Sequence, residues 1–142
     1  MASQQILDLA RSSAVGFSLD PALVCAVIDE ESSWSPFAIR YEPEFRARYV
    51  AKLNLPATEE FARSCSWGLM QVMGQVAREQ GFEGSSLAEL CTPDVGLKFG
   101  CITLADKLRL ANLDLFSALA LWNGGGDPNY PNRVLAKLKK YQ

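Results

Sequence analysis

Four prolines, Pro21, Pro43, Pro93 and Pro131, stand where a helix would begin, and no segment alternates apolar and polar residues around a hairpin turn. Proline has no N–H to donate, and the first helical position has no intrahelical acceptor for one, so proline opens a helix without loss. That pattern predicts an all-α fold. Ser3 caps a first helix that ends at Gly16, and Asp20 caps a second with Pro21 at its first position. The second should stop before Pro36, because the proline ring disfavours helical geometry at Ser35. From Pro43, Phe45, Tyr49 and Leu53 recur at spacing four; "NLPAT" is then a loop, and Thr58 begins a short helix. "SWGLMQVMGQVAREQGF" predicts a helix from about Leu69 to Gln80, closed by Gly81, with a short turn in "SSLAEL" after it. The helix from Thr92 and Pro93 is the longest, and Val95, Phe99, Ile102, Leu104 and Leu108 give it the wide apolar face of a central element. Asn112 or Asp114 opens the next, "LFSALALW", which runs into "NGGGDPNYP". Pro131 opens the last, with Val134, Leu135, Leu138 and Tyr141 on one side.

A chain of 142 residues, 49% hydrophobic and 21% charged, suits one compact domain, taken as residues 1–142. A net charge of -2 supplies no basic field for phosphate neutralisation, which argues against a dedicated nucleic-acid binder. Arg133, Lys137, Lys139 and Lys140 read best as solvated cations complementing a terminal helix dipole. The N-terminus shows no signal peptide, and no apolar run approaches the roughly 18 residues of a membrane span. With no histidine and no CxxC pair, a zinc set is not expected, and no metal or cofactor is implied. Histidine-based nucleophilic triads are excluded with it. Cys25, Cys65, Cys91 and Cys101 are expected as reduced core thiols, with a Cys91–Cys101 bridge as the other option.

"AVIDEESSWSPFAI" ends an apolar run in three successive carboxylates. At about 100° per residue, Leu23, Val24, Val27 and Ile28 form one stripe and Glu31 falls within it. Asp29 lies opposite and Glu30 a quarter-turn away, so both read as solvated surface charges. A carboxyl aimed at apolar surroundings in the last turn of a helix is pushed up in pKa by desolvation and by the dipole. Such a group suits a general acid. An equally good reading is a buried glutamate paired with Arg40 or Arg46.

From residue 22 onward four segments follow in order: "ESSWSPFA", with Glu31 and Ser32; Gly68, Leu69, Met70 and Gln71; "ALALWNGGG"; and "YPNRVLA". Together they resemble the Glu-Ser motif, the Gly-Leu-Met-Gln motif and the two later motifs of the lytic transglycosylases of the soluble, goose-lysozyme-like type. The resemblance implies a lysozyme-like helical domain with a glycan-binding groove, acting on peptidoglycan glycan strands. Glu31 would protonate the β-1,4 oxygen between N-acetylmuramic acid and N-acetylglucosamine, then as carboxylate assist the muramic 6-hydroxyl in closing a 1,6-anhydro ring. Ser32 would contact the catalytic carboxyl or an acetamido group, or simply bond backbone at a helix end. Gly68 would let the backbone approach the groove, or serve only as a turn glycine. Leu69, Met70 and Gln71 would line the sugar subsites, Gln71 as donor to hydroxyls and Met70 as a polarizable wall, although core filling suits Met70 nearly as well. Asn123 and Tyr130 would be polar contacts, Tyr130 within reach of Glu31 or an acetamide.

Trp122 replaces the tyrosine usual in that family, which removes a hydroxyl and offers a larger apolar face to a sugar ring. The segment between the first two motifs is long and adds Glu42, Glu44, Glu59 and Glu60. Any of these could hold a water, so a hydrolytic muramidase is the nearest alternative, and a noncatalytic murein-binding virion module a more distant one. A monomer is expected, without membrane insertion. Access to the wall would come through holin-made membrane holes, as for a phage endolysin, or through a virion.

Overall fold

A computed structural model describes residues 2–142. Eight helices and one small sheet build it: α1 (Gln4–Gly16), α2 (Pro21–Ser32), β1 (Ile39–Tyr41), α3 (Pro43–Phe45), α4 (Ala57–Arg63), β2 (Cys65–Trp67), β3 (Val72–Met73), α5 (Gly74–Glu79), α6 (Pro93–Leu110), α7 (Leu115–Asn123) and α8 (Tyr130–Tyr141). The fold is mostly helical. Ser3, Asp20 and Asp114 accept backbone N–H groups at the starts of α1, α2 and α7, which relieves donors that a helix start leaves unpaired.

α2 is the central element, with every residue from Ala22 to Ile28 buried. α8 and α1 pack against it, and Leu97 and Leu104 of α6, Leu119 of α7 and Val134 of α8 are fully covered. Ser33 (φ 51) and Trp34 (φ 67) are consecutive left-handed residues that end α2. For a bulky tryptophan this backbone is strained by about 1–3 kcal/mol. Packing holds it there: the indole is buried and donates its N–H to the Tyr141 hydroxyl at 2.9 Å.

Two expectations for the helices change. The stretch from Leu69 to Gln80 is not one helix: Gly68 (φ 73) and Gln71 (φ 53) turn the chain, Val72–Met73 pairs in a sheet, and only Gly74–Glu79 is helical. The sheet runs β1-β2-β3, antiparallel, with Ile39 opposite Trp67 and Ser66 opposite Met73. The Pro43 helix winds loosely, passing into a π-turn over Arg46–Val50 and a 3-10 turn over Ala51–Leu53, although the Phe45 and Tyr49 rings still meet at 4.9 Å. All four cysteines are free thiols, so no Cys91–Cys101 bridge forms.

Asp29 and Glu30 are not solvated charges either. Their side chains are each only 15% exposed, because α8 lays its cations along α2. Lys140 and Lys137 reach Asp29 at 3.1 and 3.5 Å, and the Tyr141 hydroxyl donates to it at 2.6 Å. Burial pushes the Asp29 carboxyl up, but the tyrosine and the two lysines outweigh it and leave the group below the usual range. Its native contribution is therefore present above the unfolded pKa near 3.9 and lost as pH falls through the folded value. Asp29→Asn should lower stability by about 1–3 kcal/mol at neutral pH. Urea denaturation should show the gap to wild type closing below about pH 3.9; a gap that persists in acid would count against the charge.

Candidate active site

Glu31 lies in the last turn of α2, half-buried, where the chain turns into its left-handed exit. Two neutral donors meet its carboxyl. Tyr130, at the first position of α8, donates its hydroxyl to Oε2 at 2.5 Å, and Trp122 of α7 donates its indole N–H to the same oxygen at 2.9 Å. Neither bond falls on Oε1. No buried side-chain oxygen among the described residues lacks a partner, so Oε1, which carries neither bond, keeps some contact with solvent.

Burial pushes the Glu31 carboxyl up; the Tyr130 and Trp122 bonds pull it down, the Glu30 charge pushes up and Arg40 pulls down, and the net result is a raised pKa. Desolvation wins because the two partners are uncharged, and a neutral donor compensates a buried carboxylate less than an ion pair does. With Oε2 filled by donors, the proton of the acid form belongs on Oε1. The arrangement leaves the acidic proton on the unbonded oxygen while the other is fixed.

Neither Arg40 nor Arg46 pairs with Glu31: Arg40 binds Glu42 at 3.0 Å and Arg46 binds Glu60 at 2.7 Å. Glu59 is held between Arg63 and Arg78 at 2.6 and 2.9 Å. Three of the four glutamates offered by the long segment are thus engaged by arginine, while Glu44 is exposed.

The matched motif residues divide. Ser32 donates to the Leu69 carbonyl at 2.8 Å and to Ile28 at 3.2 Å, so its hydroxyl ties the end of α2 to the Gly68–Gln71 turn rather than to Glu31. Gly68 serves that turn, its N–H donating to Ala38 at 2.8 Å. Leu69 and Met70 are core residues, and Met70 packs against Gly100 of α6, where any larger residue would collide with it; neither side chain walls a surface. Gln71 is committed as well. Its amide donates to the Ala38 and Gly68 carbonyls at 2.9 and 3.0 Å and accepts from Ser66 at 2.8 Å. Asn123 donates to the Asp127 carbonyl at 3.3 Å, shaping the loop before Tyr130. The sequence points to the Trp122 ring face, but it is the indole N–H that meets Glu31. An indole's single N–H donor was the available signal.

Two apolar depressions of 560 and 610 Å³ lie at the α1–α6 and α6–α7 junctions, and Glu31 lines neither. No helix among the described residues is long and apolar enough to cross a membrane, and no cluster of three or more metal-ligating side chains occurs among them.

A mainly helical domain holding one half-buried acid at the end of its central helix has the make-up of a lysozyme-like, glycan-cleaving domain. The family described as Transglycosylase SLT domain matches residues 8–140, and the chain belongs to it. Its function is accordingly of lytic-transglycosylase type, the degradation of peptidoglycan at the cell wall. No curated protein and no solved structure matches the chain.

Proposed function

We propose that residues 1–142 act as one catalytic domain in which Glu31 is the sole general acid and base, cutting the β-1,4 bond between N-acetylmuramic acid and N-acetylglucosamine. The observation that supports this reading is the asymmetry of the Glu31 carboxyl: one oxygen is held by Tyr130 and Trp122, and the other carries no protein bond. Oε1–H donates its proton to the glycosidic oxygen as the bond to the anomeric carbon breaks. The positive charge developing on the sugar ring favours the carboxylate that remains. That carboxylate then takes the proton of the muramic 6-hydroxyl while its oxygen bonds to the anomeric carbon, giving a 1,6-anhydro ring and restoring protonated Glu31. One group serves both steps because the proton that leaves is replaced by the one that arrives.

Ordinary glycosidases use two carboxylates across the scissile bond. Here Glu42, Glu59 and Glu60 are each paired with an arginine and Glu44 is exposed, which supports attack by the sugar's own hydroxyl over attack by a held water. Substrate contacts are assigned to the accessible parts of the site, the Trp122 ring and Asn123, with Tyr130 holding the acid.

Mass spectrometry of digested murein separates the two outcomes. Anhydro products, lighter by one water than hydrolytic ones, are expected; reducing-end muramic acid as the main product would instead make the chain a muramidase.

A further inference from the structure

Arg133 joins two carboxylates that lie on either side of the site. Its Nε donates to Glu30 Oε2 at 2.9 Å, and its terminal nitrogen reaches Asp127 Oδ2 at 2.8 Å. Glu30 immediately precedes Glu31 on α2. Asp127 is the knot of the loop that delivers Tyr130: its carbonyl accepts the Tyr130 N–H at 3.2 Å and the Asn123 amide at 3.3 Å, and its Oδ1 accepts the Asn129 N–H at 3.0 Å. Three exposed glycines precede that knot, two of them at φ 78. The guanidinium also lies 5.9 Å from the centre of the Tyr130 ring, one helical turn away on the same side of α8.

We propose that Arg133 is a positioning residue for the reaction: by clamping Asp127 to Glu30 it fixes the Tyr130 hydroxyl on Glu31. The proposal rests on Glu31 being the reacting acid. The glycine-rich approach to Tyr130 carries little rigidity of its own, and a planar guanidinium spans two carboxylates at once, which an ammonium on a flexible stem does less well. An ordinary surface ion pair would do none of this. The Arg133 side chain is 45% exposed, so its pairs add little to stability whichever view holds. Kinetics therefore decide.

Charged and titratable groups around the acid are Glu30 on its own helix, Arg40 from β1 and Tyr130 from α8; Lys137 also reaches Glu30 at 3.3 Å, and Asp29 is taken by Lys137 and Lys140. Removing Arg133 leaves the Glu30 charge less compensated, so Glu31 should titrate at higher pH.

The test compares wild type, Arg133→Gln, Arg133→Lys, Tyr130→Phe and the Tyr130→Phe/Arg133→Gln double variant on soluble glycan strands. Arg133→Gln should lower kcat by about ten- to a hundredfold, as expected for a displaced catalytic contact, with KM little changed and the pH profile moved upward. Arg133→Lys should restore the profile but only part of kcat. In the Tyr130→Phe background the same Arg133 change should cost much less, because the hydroxyl it positions is absent. Asp127→Asn loosens the clamp from its other end and should reproduce the kcat loss, which guards against a folding defect in one variant. Wild-type kcat and pH profile in Arg133→Gln, or a full additive loss in the double variant, would overturn the proposal. Glu31→Gln run beside them separates the two readings: if it is active, the site itself is misassigned; if it is inactive while Arg133→Gln is normal, only the clamp is.

Discussion

Glu31→Gln is expected to reduce murein cleavage by about 10²- to 10⁴-fold, the usual range for losing a general acid. That corresponds to roughly 3–5 kcal/mol of transition-state stabilisation. The amide keeps the shape, and its carbonyl oxygen can take the place of Oε2 beneath Tyr130 and Trp122. Its NH₂ then lies at the unbonded Oε1 position. Folding should not suffer. The raised carboxyl contributes fully to stability only below its unfolded pKa, and that contribution is lost as pH rises through the folded value. Wherever that carboxyl is ionised, the glutamine variant avoids the buried charge and should melt at or above the wild-type temperature. A dead and destabilised variant would show that Glu31 has a structural task; a fully active one would remove it from the chemistry. Turbidity loss on isolated walls, read beside a thermal melt, distinguishes these outcomes.

Gly68→Ala is expected to be among the most destabilising single-methyl additions in the chain. A Cβ at Gly68 would sit 2.5 Å from the Leu90 carbonyl oxygen, on a backbone at φ 73 that disfavours L side chains. Left-handed geometry alone costs about 1–2 kcal/mol, and pressing a methyl into backbone adds about 1–3 kcal/mol more. For a domain of this size that lowers the melting temperature by roughly 6–20 °C. Gly81 offers the control. It also has a positive φ, 96, but open space where its Cβ would go, so Gly81→Ala should show the backbone cost without the collision. Equal melting temperatures for the two variants would mean that the Leu90 contact relaxes freely. The Gly68 change should also lower activity, since the same turn presents the Leu69 carbonyl that anchors Ser32 beside Glu31.

Helix starts were legible because caps and prolines act locally: Asp20, Pro21, Asp114 and Pro93 mark α2, α7 and α6 without reference to anything distant. The wheel of α2 did not single out Glu31 in the same way, because the helix is covered on every face from Ala22 to Ile28 rather than along one stripe. What covers those faces is a tertiary matter. Asp29 and Glu30 looked solvated because the wheel of α2 says nothing of α8, whose cations and Tyr141 cover them. The sheet escaped notice because strands of two or three residues are too short to show alternation. The expected helix at Leu69 failed because Gly68 and Gln71 take left-handed geometry, stabilised by carbonyls of Ala38 and Gly68 that lie together only once the chain has folded. Met70 matched the family motif, but its side chain is spent on close packing with Gly100.

The thiols carry a consequence for where such a domain can operate. Cys25, Cys65 and Cys101 are shut away from solvent and all four sulfhydryls are pushed up by burial, Cys101 to about 12, so little reactive thiolate exists near neutrality. No covalent cross-link has to be made for the fold to hold and none has to be kept from breaking. The fold therefore asks for no redox compartment in order to close a cross-link.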